Sequence, residues 1–319
     1  MTVATTVYNG ERYLEECAAS VLRQTYTNWR YYIIDNCSTD RTPEIAREIA
    51  SRDPRVHYDR REEFVDVNES YSRGFAAVDP DASYLKLVDS DDWIYPECLE
   101  RMVALAESEP TVGLVSAYRL SDARGPTHVD QVNLPYTEST ADGRDIIARG
   151  LRSRTALIGP PTGLLWRADL ARARRPFFDA RFRHADDDAN FWTLTQSRYG
   201  LVHQVLTYSR GHGSSETGLS DRLAAYEPER LRMIIRYGPL VLSEEDYQQL
   251  LRQKIADYVA YHRRLFVWWH FKSPFRKAWR PEVEARRDFH RQSVESMAEE
   301  APDSPEVQQM ARTVRRLLR

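Results

Sequence analysis

The chain has little cysteine and no long apolar run. Among its 319 residues there are three cysteines, Cys17, Cys37 and Cys98, and no CxxC spacing. This count and spacing argue against a disulfide framework and against a thiolate zinc site, so we expect a reduced, cytoplasmic protein. No stretch approaches the roughly 18 consecutive apolar residues of a membrane-spanning helix. The first residues also lack the basic and then apolar pattern of a signal peptide.

Net charge is small but unevenly distributed. The whole chain carries −3, which argues against nucleic-acid binding by charge alone. Residues 252–319 contain 15 lysines and arginines against nine acidic residues, so residues 1–251 carry −9. An acidic body with a basic tail suggests that the tail has a separate task or forms a docking surface.

The first 118 residues alternate between strand and helix patterns. Strands are predicted at 2–8, 30–35, 55–59, 83–89 and 112–118, and helices at 9–25, 38–53, about 68–79 and 95–110. This alternation predicts βαβ units and a mostly parallel sheet. No G-x-G-x-x-G follows the first strand, which argues against a dinucleotide dehydrogenase. From about residue 221 the pattern is helical and amphipathic.

Polar clusters follow three of the predicted strands. Asn9 follows the first, Asp35 and Asn36 follow the second, and the third runs into LVDSDDWIY with its carboxylates Asp89, Asp91 and Asp92. Ligands bind beyond the carboxyl ends of parallel strands, so these clusters should converge on one crevice. Carboxylates suit Mg²⁺ or Mn²⁺. A helix cap would account for one of the three charges, whereas a metal with a diphosphate accounts for all of them.

Other residues allow a ligand-binding and a plain structural interpretation. Tyr8 is placed to stack on a flat base, or is simply a strand-end aromatic. The amide of Asn36 can donate to and accept from a nucleobase edge at once. The run Asp186 to Asp188 precedes a helical pattern. Crowded like charges raise at least one pKa, which suits a general base, but negative charge at a helix start is also common.

Residues 2 to about 215 resemble the family 2 nucleotide-sugar glycosyltransferases. Four blocks in the family's order carry the resemblance: TTVYNGERYLEECAASVLRQTYTNWRYYIIDNCSTDRT, YLKLVDSDDWIYPECLERM, RHADDDANFW and YSRGHGSS. The resemblance implies an α/β, Rossmann-like GT-A fold, with a mostly parallel central sheet flanked by helices and a C-terminal helical extension. It implies a catalytic domain at 1–220, divided into a nucleotide-binding half (about 1–118) and an acceptor-binding half (about 119–220), followed by helices at 221–319.

The resemblance also implies roles for individual residues. Asp188 is the catalytic base, because it stands four residues before Trp192, and Asp187 takes the place of the usual Glu; the register could slip to Asp187 or Asp186. The metal, Mn²⁺ or Mg²⁺, is held by Asp91, Asp92 and His212. Arg210 and His212 face the diphosphate. The donor nucleotide contacts Thr6, Tyr8, Asn9, Glu11, Asp35, Asn36, Asp89 and Asp91.

The implied activity is metal-dependent transfer of a sugar to an acceptor hydroxyl. One base and no second nucleophile predict inversion at the anomeric carbon, by a hexosyltransferase-type enzyme of bacterial polysaccharide, glycolipid or glycosylated-metabolite synthesis. Many members have two Asp where this chain has Asp35 and Asn36, and Ser72 replaces the usual Asn. The Asn36 carbonyl can still accept from uracil or thymine, which favours a UDP- or dTDP-sugar. The alternatives are a nucleotidyltransferase and a non-catalytic nucleotide-sugar-binding GT-A domain.

The segment 263–280, RRLFVWWHFKSPFRKAWR, interleaves basic and aromatic residues. Its aromatics would pack the helices on the catalytic domain while the basic residues face water. Alternatively, the segment docks on a membrane or a lipid-linked acceptor, which would place the protein at the inner face of the membrane. Contact with a partner or a second copy of the chain is the third interpretation.

Overall fold

The computed structural model describes residues 1–76, 79–122, 126–130, 133–153, 158–211, 216–271 and 280–318. The chain divides into two compact units. The first unit comprises Met1–Ile146, Arg154–Ala180 and Ala185–Gly211, and the second comprises Ile147–Ser153, Arg181–His184 and His212–Arg319. The proposed division of residues 1–220 into nucleotide and acceptor halves stays a prediction.

The first unit is an α/β sheet with helices. Its strands are β1 (Thr2–Val7), β2 (Arg30–Asp35), β3 (Val56–Arg60), β4 (Tyr84–Leu87), β5 (Trp93–Ile94), β6 (Val112–Ser121), β7 (His128–Asp130), β8 (Thr140–Asp142), β9 (Leu164–Arg167) and β10 (Arg198–Ser209). Its helices are α1 (Leu14–Leu22), α2 (Thr42–Arg52), α3 (Val67–Ala76), α4 (Cys98–Ser108), α6 (Ala168–Ala173) and α7 (Ala185–Leu194), together with the start of α5 (Gly143–Arg152).

The sheet is parallel in its first part and mixed beyond it. The strand order is β3-β2-β1-β4-β9-β6-β10-β5, with β7 on β6 and β8 on β10. The first four strands in this order, β3, β2, β1 and β4, are parallel to one another, as the βαβ pattern predicted. By contrast, β9 is antiparallel to both β4 and β6. Val7 pairs with Asp35, so β1 and β2 end at the same level.

Both faces of the central strands are covered, which explains their nearly continuous apolar sequence. Val3, Ala4 and Val7 of β1 are all buried. Helix α1 buries Cys17 and Val21 at helical spacing in the same core. Burial raises the pKa of the Cys17 thiol to about 12, so it acts as a small apolar side chain.

From Glu216 onward the second unit is mostly helical where it is described, as the sequence predicted from about residue 221. Its helices are α8 (Glu216–Leu223), α9 (Tyr226–Val241), α10 (Glu244–Phe271), α11 (Arg280–Glu300) and α12 (Pro305–Leu317). Among the described residues, no helix is both long enough and apolar enough to cross a membrane. Residues 272–279 lie outside the described residues, as do the side chains from 267 to 280. Membrane contact through 263–280 therefore stays a prediction.

A buried ionic network organises the second unit. Arg232 of α9 donates to the carboxylates of Glu229 (3.4 Å) and Glu300 (2.8 Å) and also to the carbonyl of Arg181. Glu229 in turn accepts from the backbone N–H groups of Arg183 (2.8 Å) and His184 (3.2 Å). Buried charges are stable only when paired in this way, so the network fixes residues 181–184 against α9 and α11.

Candidate active site

The loops that follow β1 and β2 are tied together by two of the predicted donor-binding residues. Asn9, in the left-handed region at φ 51°, accepts from the backbone N–H of Thr39 at 2.8 Å. Glu11 accepts from the N–H of Arg41 at 3.0 Å. Between them, a Cβ on Gly10 would lie 2.4 Å from Val7 Cγ2, so this close turn requires glycine. Asn9 and Glu11 shape the loops, and donor contact by them stays a prediction.

Asp35 and Asn36 also hold the loop that follows β2. The buried Asp35 carboxylate accepts from the N–H of Ser38 and the hydroxyl of Tyr58, both at 2.8 Å. The Asn36 amide donates to the carbonyl of Val65 (2.7 Å) and accepts from its N–H (3.1 Å). Asn36 therefore has only its second hydrogen and its second lone pair left for a nucleobase.

Two exposed aromatic rings lie side by side at this end of the sheet. Tyr8 is 49% exposed and Phe64 is 59% exposed, with ring centroids 4.6 Å apart. Thr6, beside them on β1, is half-buried. Exposed aromatic pairs offer flat apolar surface to a planar ligand. The sequence did not single out Phe64, because a lone aromatic within REEFVDV carries no periodic signal.

The acidic loop, residues 88–92, follows β4 and places its carboxylates where little water reaches them. Asp89 accepts from the Tyr71 hydroxyl (2.6 Å) and from Thr162 Oγ1 (3.3 Å). Burial, together with the charge of Asp91, raises the pKa of Asp89 to about 7. Burial and the charges of Asp89 and Asp91 also raise the pKa of Asp92 well above its usual value. A bound cation would relieve this mutual repulsion.

Asp92 has a structural role that the sequence did not reveal. Its two carboxylate oxygens accept from the Ser209 hydroxyl and from the Arg210 N–H, each at 2.9 Å, and the residue is buried. It therefore fixes the end of β10 onto the acidic loop. Asp91 is only half-buried, which makes it the better exposed carboxylate for a metal. Metal binding by Asp92 stays a prediction.

Arg210 lies against the acidic loop, and its contact with the diphosphate stays a prediction. Its side chain donates to the Asp91 carbonyl at 3.0 Å and forms an ion pair with Glu16 at 2.6 Å. The guanidinium also stacks over the rings of Tyr13 (4.6 Å) and Trp93 (5.1 Å). These contacts hold a positive charge beside Asp91 and Asp92. His212 lies outside the described residues.

Asp186 and Asp188, in the second acidic run, lie in different environments. Asp188 is 0% exposed, and its carboxylate is paired with the Arg174 guanidinium. Asp186 is half-buried, and burial raises its pKa to about 6. The charge of Asp186 also raises the pKa values of Tyr71 and Asp89, which places it beside the acidic loop. Asp186 and Asp187 are thus half-buried whereas Asp188 is turned into the core, and the choice of Asp188, Asp187 or Asp186 as the base stays a prediction.

The residues present fit a divalent cation held by few protein ligands. Within the described part of the chain, no group of three His, Cys, Asp or Glu residues forms a ready-made metal site. A cation held by one or two carboxylates keeps positions open for phosphate oxygens, which is how Mg²⁺ is usually bound. Asp91, beside the crowded charges of Asp89 and Asp92, offers such a partial site.

We expect one of the three thiols to react quickly in the native protein. Cys37 is half-exposed, whereas Cys17 and Cys98 are buried, and burial raises the pKa of both buried thiols. Because the thiolate is the reactive form, a chromogenic disulfide reagent should titrate one thiol before unfolding and three after it. A Cys37→Ser variant should lose the fast phase; a fast phase that persists in this variant would contradict the burial of the other two.

Comparison with known proteins identifies the first part of the chain. Residues 2–158 match the model of glycosyl transferase family 2. These residues belong to that family. The family 2 segment contains the aromatic pair, both loops tied by Asn9 and Glu11, and the acidic loop, while Asp186 and Arg210 lie beyond it.

Curated relatives extend further along the chain. Glycosyltransferase GlyA of Streptococcus pneumoniae serotype 4 is 29% identical over 269 residues, which are 81% of this chain and 38% of that protein. An uncharacterized glycosyltransferase of Nostoc sp. is 26% identical over 214 residues, 65% of this chain and 63% of the relative. The chain thus spans less than two thirds of the length of either relative.

Solved structures show the same GT-A fold. The S. aureus TarS fragment 1–349 in complex with UDP-GlcNAc has a TM-score of 0.62 at 16% identity, covering 99% of this chain and 90% of that fragment. Mannosyltransferase PcManGT from Pyrobaculum calidifontis, in complex with GDP-Man and Mn²⁺, has a TM-score of 0.51 at 14% identity, covering 100% and 80%. The fold predicted from the sequence is therefore confirmed.

Proposed function

We propose that this chain transfers a sugar from a nucleoside diphosphate donor to an acceptor hydroxyl. One observation carries the proposal: within the segment that matches family 2, half-buried Asp89 and Asp91 lie beside buried Asp92 in the acidic loop. Such a loop suits a metal diphosphate, and the raised pKa of Asp186 suits a general base. The relatives bear the names of bacterial glycosyltransferases, which supports sugar transfer, and a polysaccharide or glycolipid product is part of the proposal.

The residues of the site divide the work of an inverting transfer. Asp91, with Asp92 and His212 as further candidates, would hold Mn²⁺ or Mg²⁺, which when bound neutralises charge on the leaving diphosphate. Arg210 adds a fixed positive charge beside it. Asp186 removes the proton of the acceptor hydroxyl as that oxygen attacks the anomeric carbon from the opposite face. The half-buried setting of Asp186 limits competing water at the base.

The base and sugar of the donor are chosen by residues at the ends of β1 and β2. TarS binds UDP-GlcNAc and PcManGT binds GDP-Man with Mn²⁺. The Asn36 oxygen favours a pyrimidine with an N3–H, so a UDP- or dTDP-sugar is the proposed donor. The proposed acceptor is a carbohydrate, a lipid-linked sugar or a small molecule. The proposal also includes a location at the inner face of the membrane and association of the chain with a second copy of itself.

A donor-hydrolysis assay tests the proposal. The protein is incubated with Mn²⁺ and a panel of UDP-, dTDP- and GDP-sugars, and products are resolved by ion-exchange chromatography. Release of the nucleoside diphosphate supports glycosyl transfer. Release of pyrophosphate from a nucleoside triphosphate and sugar phosphate would instead indicate a nucleotidyltransferase. Binding without either product would indicate a non-catalytic nucleotide-sugar-binding domain.

We expect Tyr8→Ala and Phe64→Ala each to weaken donor binding. Stacking of one base on an aromatic ring contributes about 1–3 kcal/mol, so the KM for donor should rise roughly 5- to 150-fold while kcat changes little. Val129→Ala, at an exposed apolar position on β7, is a matched control that should change neither constant. Equal KM values for all four proteins would show that the aromatic pair does not contact the donor.

A further inference from the structure

Lys86 is a buried cation directly below the acidic loop, and it has no part in the proposed mechanism. It lies on β4, opposite Val3 of β1, and is fully buried. Its ammonium donates to the backbone carbonyls of Thr162 and Leu164, the latter at 3.0 Å. Burial lowers the pKa of Lys86, while Cys98 and the carboxylates Asp89 and Asp92 raise it.

Thr162 connects this cation to the acidic loop. It is buried in the 3₁₀ turn Pro161–Gly163 that precedes β9. Its hydroxyl accepts from the N–H of Asp89 at 3.0 Å and donates to the Asp89 carboxylate at 3.3 Å. The Thr162 carbonyl therefore accepts a hydrogen bond from Lys86 while its hydroxyl bonds to Asp89. Thr162 thus connects β4 with the acidic loop by hydrogen bonds.

Packing of the strand does not account for a charge at position 86. A methionine has similar length and would fill the core without the cost of burying an ammonium. The carbonyls of Thr162 and Leu164 hold the Lys86 ammonium at the turn whose hydroxyl bonds to Asp89. The link to the acidic loop therefore explains a polar side chain at this position better than apolar packing does.

We propose that Lys86, acting through Thr162, is a positioning residue that holds Asp89 and the acidic loop in their donor-binding geometry. This inference rests on the proposed function of the loop. It predicts that the loop is ordered before the donor binds, because the hydrogen bonds that support it come from the protein's own groups. Loss of the hydrogen bonds made by Lys86 and Thr162 should therefore weaken donor binding and also speed amide hydrogen exchange in the acidic loop.

The test uses Lys86→Met, Thr162→Val and Thr162→Ser in the full chain. Amide hydrogen exchange is measured in the ligand-free proteins, and binding of UDP and of GDP, each with Mn²⁺, is measured by calorimetry. Lys86→Met and Thr162→Val should speed exchange of the Asp89 N–H about tenfold and weaken binding about tenfold. Thr162→Ser keeps the hydroxyl and should match the wild type. The double variant should lose no more than the stronger single variant, because both act along one path.

Two results would overturn the inference: unchanged Asp89 exchange in folded Lys86→Met, or equal loss in Thr162→Val and Thr162→Ser. If Lys86→Met does not fold, the Thr162 pair decides, since it leaves the lysine in place. If exchange rises as expected but the wild type binds neither UDP nor GDP, Lys86 still positions the loop, and it is the proposed function that fails.

Discussion

Replacing Asp186 with asparagine should lower the rate of sugar transfer about 100- to 10,000-fold, the usual contribution of a general base. Donor affinity should stay near the wild-type value, because Asp186 lies beside the acidic loop but is not part of it. Stability at pH 8 should be unchanged or higher. Since burial raises the pKa of Asp186 to about 6, the charged form is disfavoured in the folded state, and asparagine removes that cost.

Asp188→Asn is the matched control, two residues away in the same helical turn. Its carboxylate is fully buried and paired with Arg174, so the substitution should lower the melting temperature and affect the rate much less. Steady-state kinetics and thermal unfolding of the two variants separate the roles. Near-complete loss of transfer in Asp188→Asn with normal stability, alongside an active Asp186→Asn, would restore the original assignment of Asp188 as the base.

The pH profile gives an independent check of Asp186. A base must be deprotonated, so kcat should rise with pH through about 6 and level off above pH 7. The residual rate of Asp186→Asn should lack this rise. For stability the sign is opposite: the raised pKa favours folding below the usual pKa of aspartate, and that contribution is lost as pH rises through 6. Wild-type protein should therefore lose more stability between pH 4 and 7 than Asp186→Asn.

Arg232→Met should destabilise the protein by about 3–5 kcal/mol, because it leaves the buried carboxylate of Glu229 and the half-buried carboxylate of Glu300 without their shared partner. The melting temperature should fall on the order of 10 °C. Arg291→Met removes an exposed ion pair with Asp288 in the same unit and should change stability by about 0.5 kcal/mol or less. Circular dichroism on heating measures both. Similar small losses for the two variants would show that the network contributes little.

The strand-end residues were predictable because one rule governs them. Parallel strands end at the same edge of a sheet, so Asp35, Asn36 and the acidic loop had to approach one another once the βαβ pattern was recognised. The helices of the first 118 residues followed from their apolar periodicity and the proline near the start of α2. These signals are local or nearly local, which is why the sequence alone carried them.

The divided roles of the carboxylates were not predictable, because each depends on a distant partner. Three consecutive aspartates at the start of α7 point about 100° apart, and only the pairing of Asp188 with Arg174 shows which one is turned inward. Asp92 receives its hydrogen bonds from Ser209 and Arg210, more than 100 residues away. The antiparallel pairing of β9 with β4 likewise joins Tyr84 to Arg167, far apart in the sequence.

The central claim is tested most directly by the products formed from a nucleotide-sugar with Mn²⁺. We expect the wild type to release the nucleoside diphosphate and free or transferred sugar, Asp188→Asn to retain this activity where it is folded, and Asp186→Asn to lose nearly all of it. Where sugar is transferred, nuclear magnetic resonance of the new glycosidic bond should show the opposite anomeric configuration to the donor. Absence of nucleoside diphosphate release across the whole donor panel, with a folded protein, would contradict the proposed function.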